Sequence, residues 1–152
     1  MNITKLKPEL KFSNWYKWED RNSFPDKTCP GVYMISITDK NLEGKEPAFE
    51  DVVYVGMTNS QGGLQSRWNQ FNNSINGKSG HSGGNTINTS LGNYSLWTKK
   101  LFVCAMSVEC TTLKNNRTCE DLIKMGWVAF LEYEALSKFK EHEGKEPVYN
   151  TK

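Results

Sequence analysis

Histidine is scarce in this chain, and no two cysteines sit at metal-binding spacing. His81 and His142 are the only histidines, and the cysteines are Cys29, Cys104, Cys110 and Cys119. Without a Cys-x-x-Cys pair, a structural zinc site has poor material, and free thiols in a reducing compartment are expected. A serine or cysteine triad lacks its parts as well, since no serine stands in a nucleophile-elbow context. No apolar run approaches the ~18 residues of a membrane span. The opening MNITKLKPELKF has no apolar signal core. A cytoplasmic protein without membrane contact is expected. Charge of one sign is also in short supply. The net charge is +2 and the pI about 8.3, short of the ~9 of a strongly nucleic-acid-binding domain. Nucleic-acid binding would fall to a local patch. A phosphate loop is missing too: Gly77-Lys78-Ser79 has the right ending, but Asn72 stands where the first glycine belongs and a helix precedes it.

What is there is enough for one folded domain over residues 1–152. Hydrophobic residues make up 37% and aromatics 12%, which argues against disorder. Residues 1–29 read as an N-terminal helical segment docked on a core at 30–150. In that segment Ser13 caps a short helix through Arg21, with Trp15 and Trp18 on one face. GVYMISIT, Gly31–Thr38, alternates as a strand with Tyr33, Ile35 and Ile37 on one side. A polar connection at 39–50 leads to a second strand, Asp51–Met57, most simply antiparallel to the first. Gly62 and Gly63 turn the chain into a helix at Leu64–Ile75, with Leu64, Trp68, Phe71 and Ile75 in a stripe. Residues 76–85 read as a glycine-serine loop, followed by a short helix or turn to about Asn93. LWTKKLFVCAMSV, Leu96–Val108, contains a third strand. Thr118 and Asp121 match a capping box that opens a long helix to about Lys140.

That last helix holds an anomaly. Glu132 shares a face with Val128 and Leu136, and an unpaired buried carboxylate costs several kcal/mol. It needs a cation, a hydrogen-bond network or a cleft, whereas Glu134 has an easier route to solvent. Arg67 sits at the edge of the Leu64–Trp68–Phe71 stripe. One account is an Arg67–Glu132 ion pair holding two helices together. The other is a reaction centre shared with Tyr33, Tyr54 and His81, which together offer a base, a cation, a proton carrier and a metal ligand.

The order of these residues resembles the GIY-YIG nuclease family. Its two tripeptides match Gly31-Val32-Tyr33 and Tyr54-Val55-Gly56. Its helical arginine matches Arg67 in LQSRW, and its metal-binding glutamate matches Glu132 in FLEYEAL. A terminal asparagine after Pro-x-Tyr matches Asn150, and His81 in GHSGG matches the histidine after the arginine helix. The resemblance spans roughly residues 31–150. Val32 replaces the commoner isoleucine, and the 39–50 connection is longer than in the smallest members.

The resemblance implies an α/β (α+β) fold with a small central three-stranded antiparallel sheet flanked by helices. It also implies metal-dependent cleavage of DNA phosphodiesters by a monomer or a homodimer on DNA. One carboxylate, Glu132, suits Mg²⁺ (or Mn²⁺), which takes its other ligands from water and phosphate. Arg67 would bind a phosphate oxygen. Tyr33 would orient or deprotonate the attacking water, with Arg67, the metal or a hydrogen bond to Tyr54 or His81 lowering its pKa from about 10. His81 would accept that proton, or else be idle in a loop. Gly56, Thr58, Lys78 and Asn150 are the candidate substrate contacts. Each also has a structural reading: strand approach for Gly56, a tied turn for Thr58, a solvated charge for Lys78, and a pinned C-terminus for Asn150. A module that kept the fold, binds nucleic acid and lost turnover is the competing function.

Overall fold

The computed structural model describes residues 7–152, so the first six residues of the N-terminal segment lie outside it. Four strands make one antiparallel sheet: β1 (Tyr16–Lys17), β2 (Gly31–Thr38), β3 (Tyr54–Thr58) and β4 (Lys100–Ser107), in the order β1-β4-β2-β3. Strand β2 pairs with β4 along its whole length and with β3 over Gly31–Ile35, so over that stretch it is bonded on both edges. Its alternation sorts the core. Tyr33 and Ile35 enter one hydrophobic cluster, with Ile37 packed against it, while Val32 and Met34 enter the other. Both faces are covered, so the first six residues from Gly31 are buried without a break, Ser36 included.

Helix α3 (Cys119–Glu143) covers one face through Val128, Leu131, Ala135 and Phe139. Its start is the predicted capping box. The Thr118 hydroxyl accepts the Asp121 N–H at 3.1 Å, and the Asp121 carboxylate accepts the Thr118 N–H at 2.8 Å. Helices α1 (Gly63–Ile75) and α2 (Ser82–Leu91) cover the other face. The predicted stripe of α1, Leu64, Trp68, Phe71 and Ile75, is buried against Tyr33, Tyr54 and Val103. At the start of α1, free N–H groups of Leu64 and Gln65 are taken by the carbonyls of Cys29 and Lys27, at 2.9 and 2.7 Å.

The N-terminal segment corrects two expectations. The sheet has four strands, not three, because residues 13–17 run extended along β4 instead of coiling into a helix. The Ser13 hydroxyl does not cap a helix but accepts the Ala105 N–H at 3.1 Å, and the Ser13 N–H donates to the Ala105 carbonyl at 2.9 Å. Trp15 and Trp18 do not share a face. Trp15 enters the α3-side cluster and Trp18 the α1-side cluster. A helix would have forced the two rings to one side, whereas an extended run followed by a 3₁₀ turn at Trp18–Ser23 lets each fill a different core. Both rings are buried, Trp15 at 2% and Trp18 at 1% exposure. The second strand is also shorter than expected, starting at Tyr54 after a 3₁₀ turn at Phe49–Asp51. Among the described residues, no helix is long and apolar enough to cross a membrane.

Candidate active site

Tyr33 on β2 stands opposite Gly56 on β3. The pairing explains the glycine. A methyl group at Gly56 would lie 2.6 Å from both the Tyr33 Cζ and its hydroxyl, and 2.9 Å from the Tyr54 ring. Gly56 is therefore the bare floor on which two tyrosines tilt together, their ring centroids 6.3 Å apart. This is the structural reading of Gly56, the close approach at the strand.

His81 closes the arrangement from α2. It is the N-cap of that helix, so residues 82–85 are helical rather than loop. Its ring nitrogens face opposite ways. Nδ1 accepts the Gly84 N–H at 3.1 Å, and Nε2 lies 2.7 Å from the Tyr33 hydroxyl. A neutral imidazole whose Nδ1 accepts carries its proton on Nε2. His81 therefore donates to the Tyr33 oxygen. Burial, aided by the charge of Arg67, pushes His81 down to about 3. The acceptor nitrogen of His81 is occupied by the helix it caps. His81 is fixed further by its backbone N–H, which donates to the Ser74 hydroxyl at 2.8 Å.

Burial also decides the tyrosines. It raises Tyr33 well above its ordinary value, with Tyr54 adding to the rise and Arg67 opposing it. Tyr54 is raised by burial too, again against Arg67. The lowering of Tyr33 expected from Arg67 and His81 does not prevail, because a fully enclosed phenolate loses more solvation than those neighbours return. At neutral pH both tyrosines are neutral phenols.

Arg67 and Glu132 approach this centre from opposite layers. Arg67 is half-buried on α1 and donates to Gln70 Oε1 at 2.7 Å. Glu132 is half-buried on α3, and burial raises its carboxyl while Arg67 opposes the rise. Arg67 is thus the cation that bears on Tyr33, Tyr54, His81 and Glu132 alike. Yet no Arg67–Glu132 ion pair within 4.0 Å forms among the described residues. The helix-to-helix bridge that was the alternative account is absent.

A cavity of about 220 Å³ opens where the layers meet, lined by Tyr54, Ser82, Glu132, Tyr149 and Asn150 among others. Glu134 is not part of it and lies 3.5 Å from Lys7 instead. Glu132 can reach the tyrosine side because β3 is an edge strand. The other side of β3 is taken by the C-terminal segment. Asn150 Oδ1 accepts the Val55 N–H at 2.9 Å, and its Nδ2 donates to the Val55 carbonyl at 2.8 Å. One side-chain amide thus imitates a paired residue and blunts the free edge. Asn150 also lines the cavity, with its amide bonded to the Val55 backbone. Thr58 is likewise committed, its hydroxyl donating to Ser60 Oγ at 2.9 Å and accepting the Ser60 N–H at 3.1 Å. Lys78 is exposed three positions before His81, as a phosphate contact would be.

Comparison with known proteins leaves the chain unplaced. No family model, curated protein or solved structure matches it.

Three supports carry no clear signal in the sequence. Ser74 holds the His81 backbone. Gly83 and Gly84 let α2 press on its neighbours: a methyl at Gly83 would lie 2.4 Å from the Tyr54 ring, and one at Gly84 would lie 2.7 Å from Ser74 Cβ. Asn59 ties β3 to α3, donating to the Met125 carbonyl at 3.0 Å. A serine-glycine run has the composition of a loop, and only the unusual density of glycine after His81 hints at close packing.

The donor set bears on a metal. No group of three or more His, Cys, Asp or Glu side chains gathers among the described residues, so a dedicated cage is not built. One half-buried carboxylate without an ion-pair partner, facing a polar cavity, fits a hard cation that keeps its waters.

Proposed function

We propose that the chain is a metal-dependent DNA endonuclease of the GIY-YIG type. The observation that carries this reading is the shared field of Arg67. Two phenols, an imidazole and a carboxylate all feel the charge of one guanidinium, and no ion pair within 4.0 Å joins the carboxylate to it. A structural network would close that pair. A phosphodiester placed between them would be neutralised from both sides, by Arg67 directly and by a cation on Glu132.

In this reading Arg67 binds and orients the scissile phosphate, and Glu132 holds Mg²⁺ or Mn²⁺. The bound metal supplies Lewis acidity for the leaving oxygen and the developing negative charge. Tyr54, on the cavity wall, directs its hydroxyl to the reacting water or phosphate. Tyr33 stands behind it as a neutral donor whose oxygen is fixed by His81 Nε2–H. Should the Tyr33 proton leave during the reaction, the His81 N–H and the Arg67 charge both favour the phenolate left behind. His81 acts by positioning and by donating, and it takes no proton.

The test is incubation of the purified chain with supercoiled plasmid and Mg²⁺. Nicking that EDTA abolishes, and that Arg67→Ala and Glu132→Ala each reduce at least 100-fold (about 2.7 kcal/mol, as for a lost transition-state contact), supports the enzyme. The enclosure of Tyr33, at 0% exposure, favours a second reading in which the fold binds nucleic acid without cutting it. Salt-sensitive DNA binding with no nicking in either metal would establish that reading instead.

A further inference from the structure

The far end of α2 builds a second surface that the proposed reaction leaves unused. After Gly92 the chain makes a 3₁₀ turn at Tyr94–Leu96 and enters β4 at Lys100. Two hollows open there, of about 480 and 180 Å³, and Trp97 and Lys99 line both. The indole is held in place. Its Nε1–H donates to the Gly92 carbonyl at 3.0 Å, and its ring meets Tyr94 edge-on with centroids 5.0 Å apart. Tyr94 is anchored in turn by its hydroxyl donating to Glu19 at 2.5 Å. Leu96 beside it is 75% exposed, far more than a side chain with a packing role.

The charge around this ring is one-sided. Lys99 and Lys100 line the larger hollow together with Lys17, which is paired with Glu43 at 3.9 Å, and the acid among its lining residues, Glu19, already accepts the Tyr94 hydroxyl. Lys99 and Lys100 have no ion-pair partner among the described residues. A fixed aromatic ring beside open volume, flanked by unpaired ammonium groups, has the chemistry of a base-stacking platform with phosphate contacts. An acidic peptide would use the lysines but would gain little from a rigid indole.

The distance to the reaction centre follows from two independent paths. Helix α2 carries ten residues from His81's side to Leu91, about 15 Å at ~1.5 Å per residue. Along the sheet, Tyr33 pairs with Ala105 and Thr38 with Lys100, a five-residue step of about 17 Å at ~3.3 Å per residue. For a strand that keeps duplex-like stacking up to its unpaired base, at ~3.4 Å per nucleotide, either path amounts to roughly four to five nucleotides.

We propose that Tyr94, Trp97, Lys99 and Lys100 form a second nucleic-acid contact, a platform that stacks an unpaired base about four to five nucleotides from the scissile phosphate. The spacing rests on the nuclease reading of the first site; the platform itself does not.

The test is fluorescence anisotropy in EDTA with the full chain. One probe is a fluorescein-labelled thymidine strand longer than the ~4–16 nucleotides such sites span, and the other is a blunt duplex. Trp97→Ala is expected to weaken single-strand binding at least fivefold and duplex binding less than twofold. Trp97→Phe keeps a stacking face and is expected to restore most of the affinity, which separates stacking from a folding defect. The Lys99→Ala/Lys100→Ala pair is expected to flatten the salt dependence by about two charges. Unchanged single-strand affinity in Trp97→Ala, or equal loss on both probes, overturns the platform. Plasmid nicking read in parallel keeps the two claims apart. Nicking with Trp97-independent binding removes the platform alone, and Trp97-dependent binding without nicking removes the nuclease reading alone.

Discussion

His81 donates to Tyr33 across 2.7 Å, and the direction of that bond is set on the far side of the imidazole, where Gly84 donates to Nδ1. The cap of a helix and the polarity of a buried tyrosine are therefore one decision. Protonating His81 would require Nδ1 to give up the Gly84 N–H, a cost that adds to the burial holding its pKa at about 3.

That depression fixes a pH dependence. The unfolded chain binds a proton on His81 near 6.5, and the folded chain does so only near 3. Between those values the unfolded state carries more protons, so stability falls as pH falls across the window, by up to about 1.4 kcal/mol per unit from this group. His81→Gln lacks the term. Urea unfolding at pH 7, 5.5 and 4 should show the gap between wild type and variant narrowing steadily toward acid. A gap that stays constant would mean that His81 titrates normally in the fold.

Two glycine substitutions should move stability in opposite directions. Gly56→Ala places its methyl 2.6 Å from the Tyr33 ring and hydroxyl, and overpacking of this kind costs about 1–3 kcal/mol. Gly126 lies exposed inside α3, and a methyl group there would have nothing within 4 Å. Gly126→Ala should stabilise by about 1 kcal/mol through helix propensity. Thermal melts of the pair check both signs, and Gly56→Ala should also lose nicking because its tyrosines shift.

Glu132→Gln should separate activity from folding. Because burial raises the Glu132 carboxyl, the folded state favours its protonated form. The stabilising contribution is present at low pH and lost as pH rises through the raised value. At neutral pH the variant should thus unfold at a urea concentration equal to or above that of wild type, with a gain on the order of 0.5–2 kcal/mol, while nicking disappears. The advantage should vanish near pH 4. A loss of stability at neutral pH would point instead to a bridging carboxylate.

Asn150 offers a sharper contrast between two replacements. Asn150→Ala leaves the Val55 N–H and carbonyl without partners, at about 1–3 kcal/mol. Asn150→Asp keeps an acceptor for the N–H but sets a carboxylate against the carbonyl, and should be worse still. Amide exchange at Val55 should accelerate in both. An unaltered exchange rate would show that the C-terminal strap does not hold β3.

The parts of this fold that are legible in the sequence are those ruled by local periodicity. Strand β2, the α1 stripe and the α3 capping box follow from spacing, because the pattern that marks each lies within a few residues. Residues 13–18 mislead because two tryptophans three apart resemble a helical face, whereas here they belong to opposite cores. That choice depends on β4, some ninety positions away. The site shows the same division. The tyrosines, Arg67 and Glu132 stand out as residue types in unexpected places. The proton on His81 does not, since it depends on Gly84, and Gly84 has the look of a loop residue. Asn150 is visible as a residue, but its two bonds to Val55 need the strand edge to be in view.

Strand β3 sets the span of the site as the spacer in a calliper sets its opening. Arg67 rides on one arm, α1, and Glu132 on the other, α3. Sliding α3 by one helical turn, about 5.4 Å, would reset the opening without touching either tyrosine. The Asn59 tether to the Met125 carbonyl joins the end of that spacer to the arm, so a residue outside the cavity helps to fix the opening.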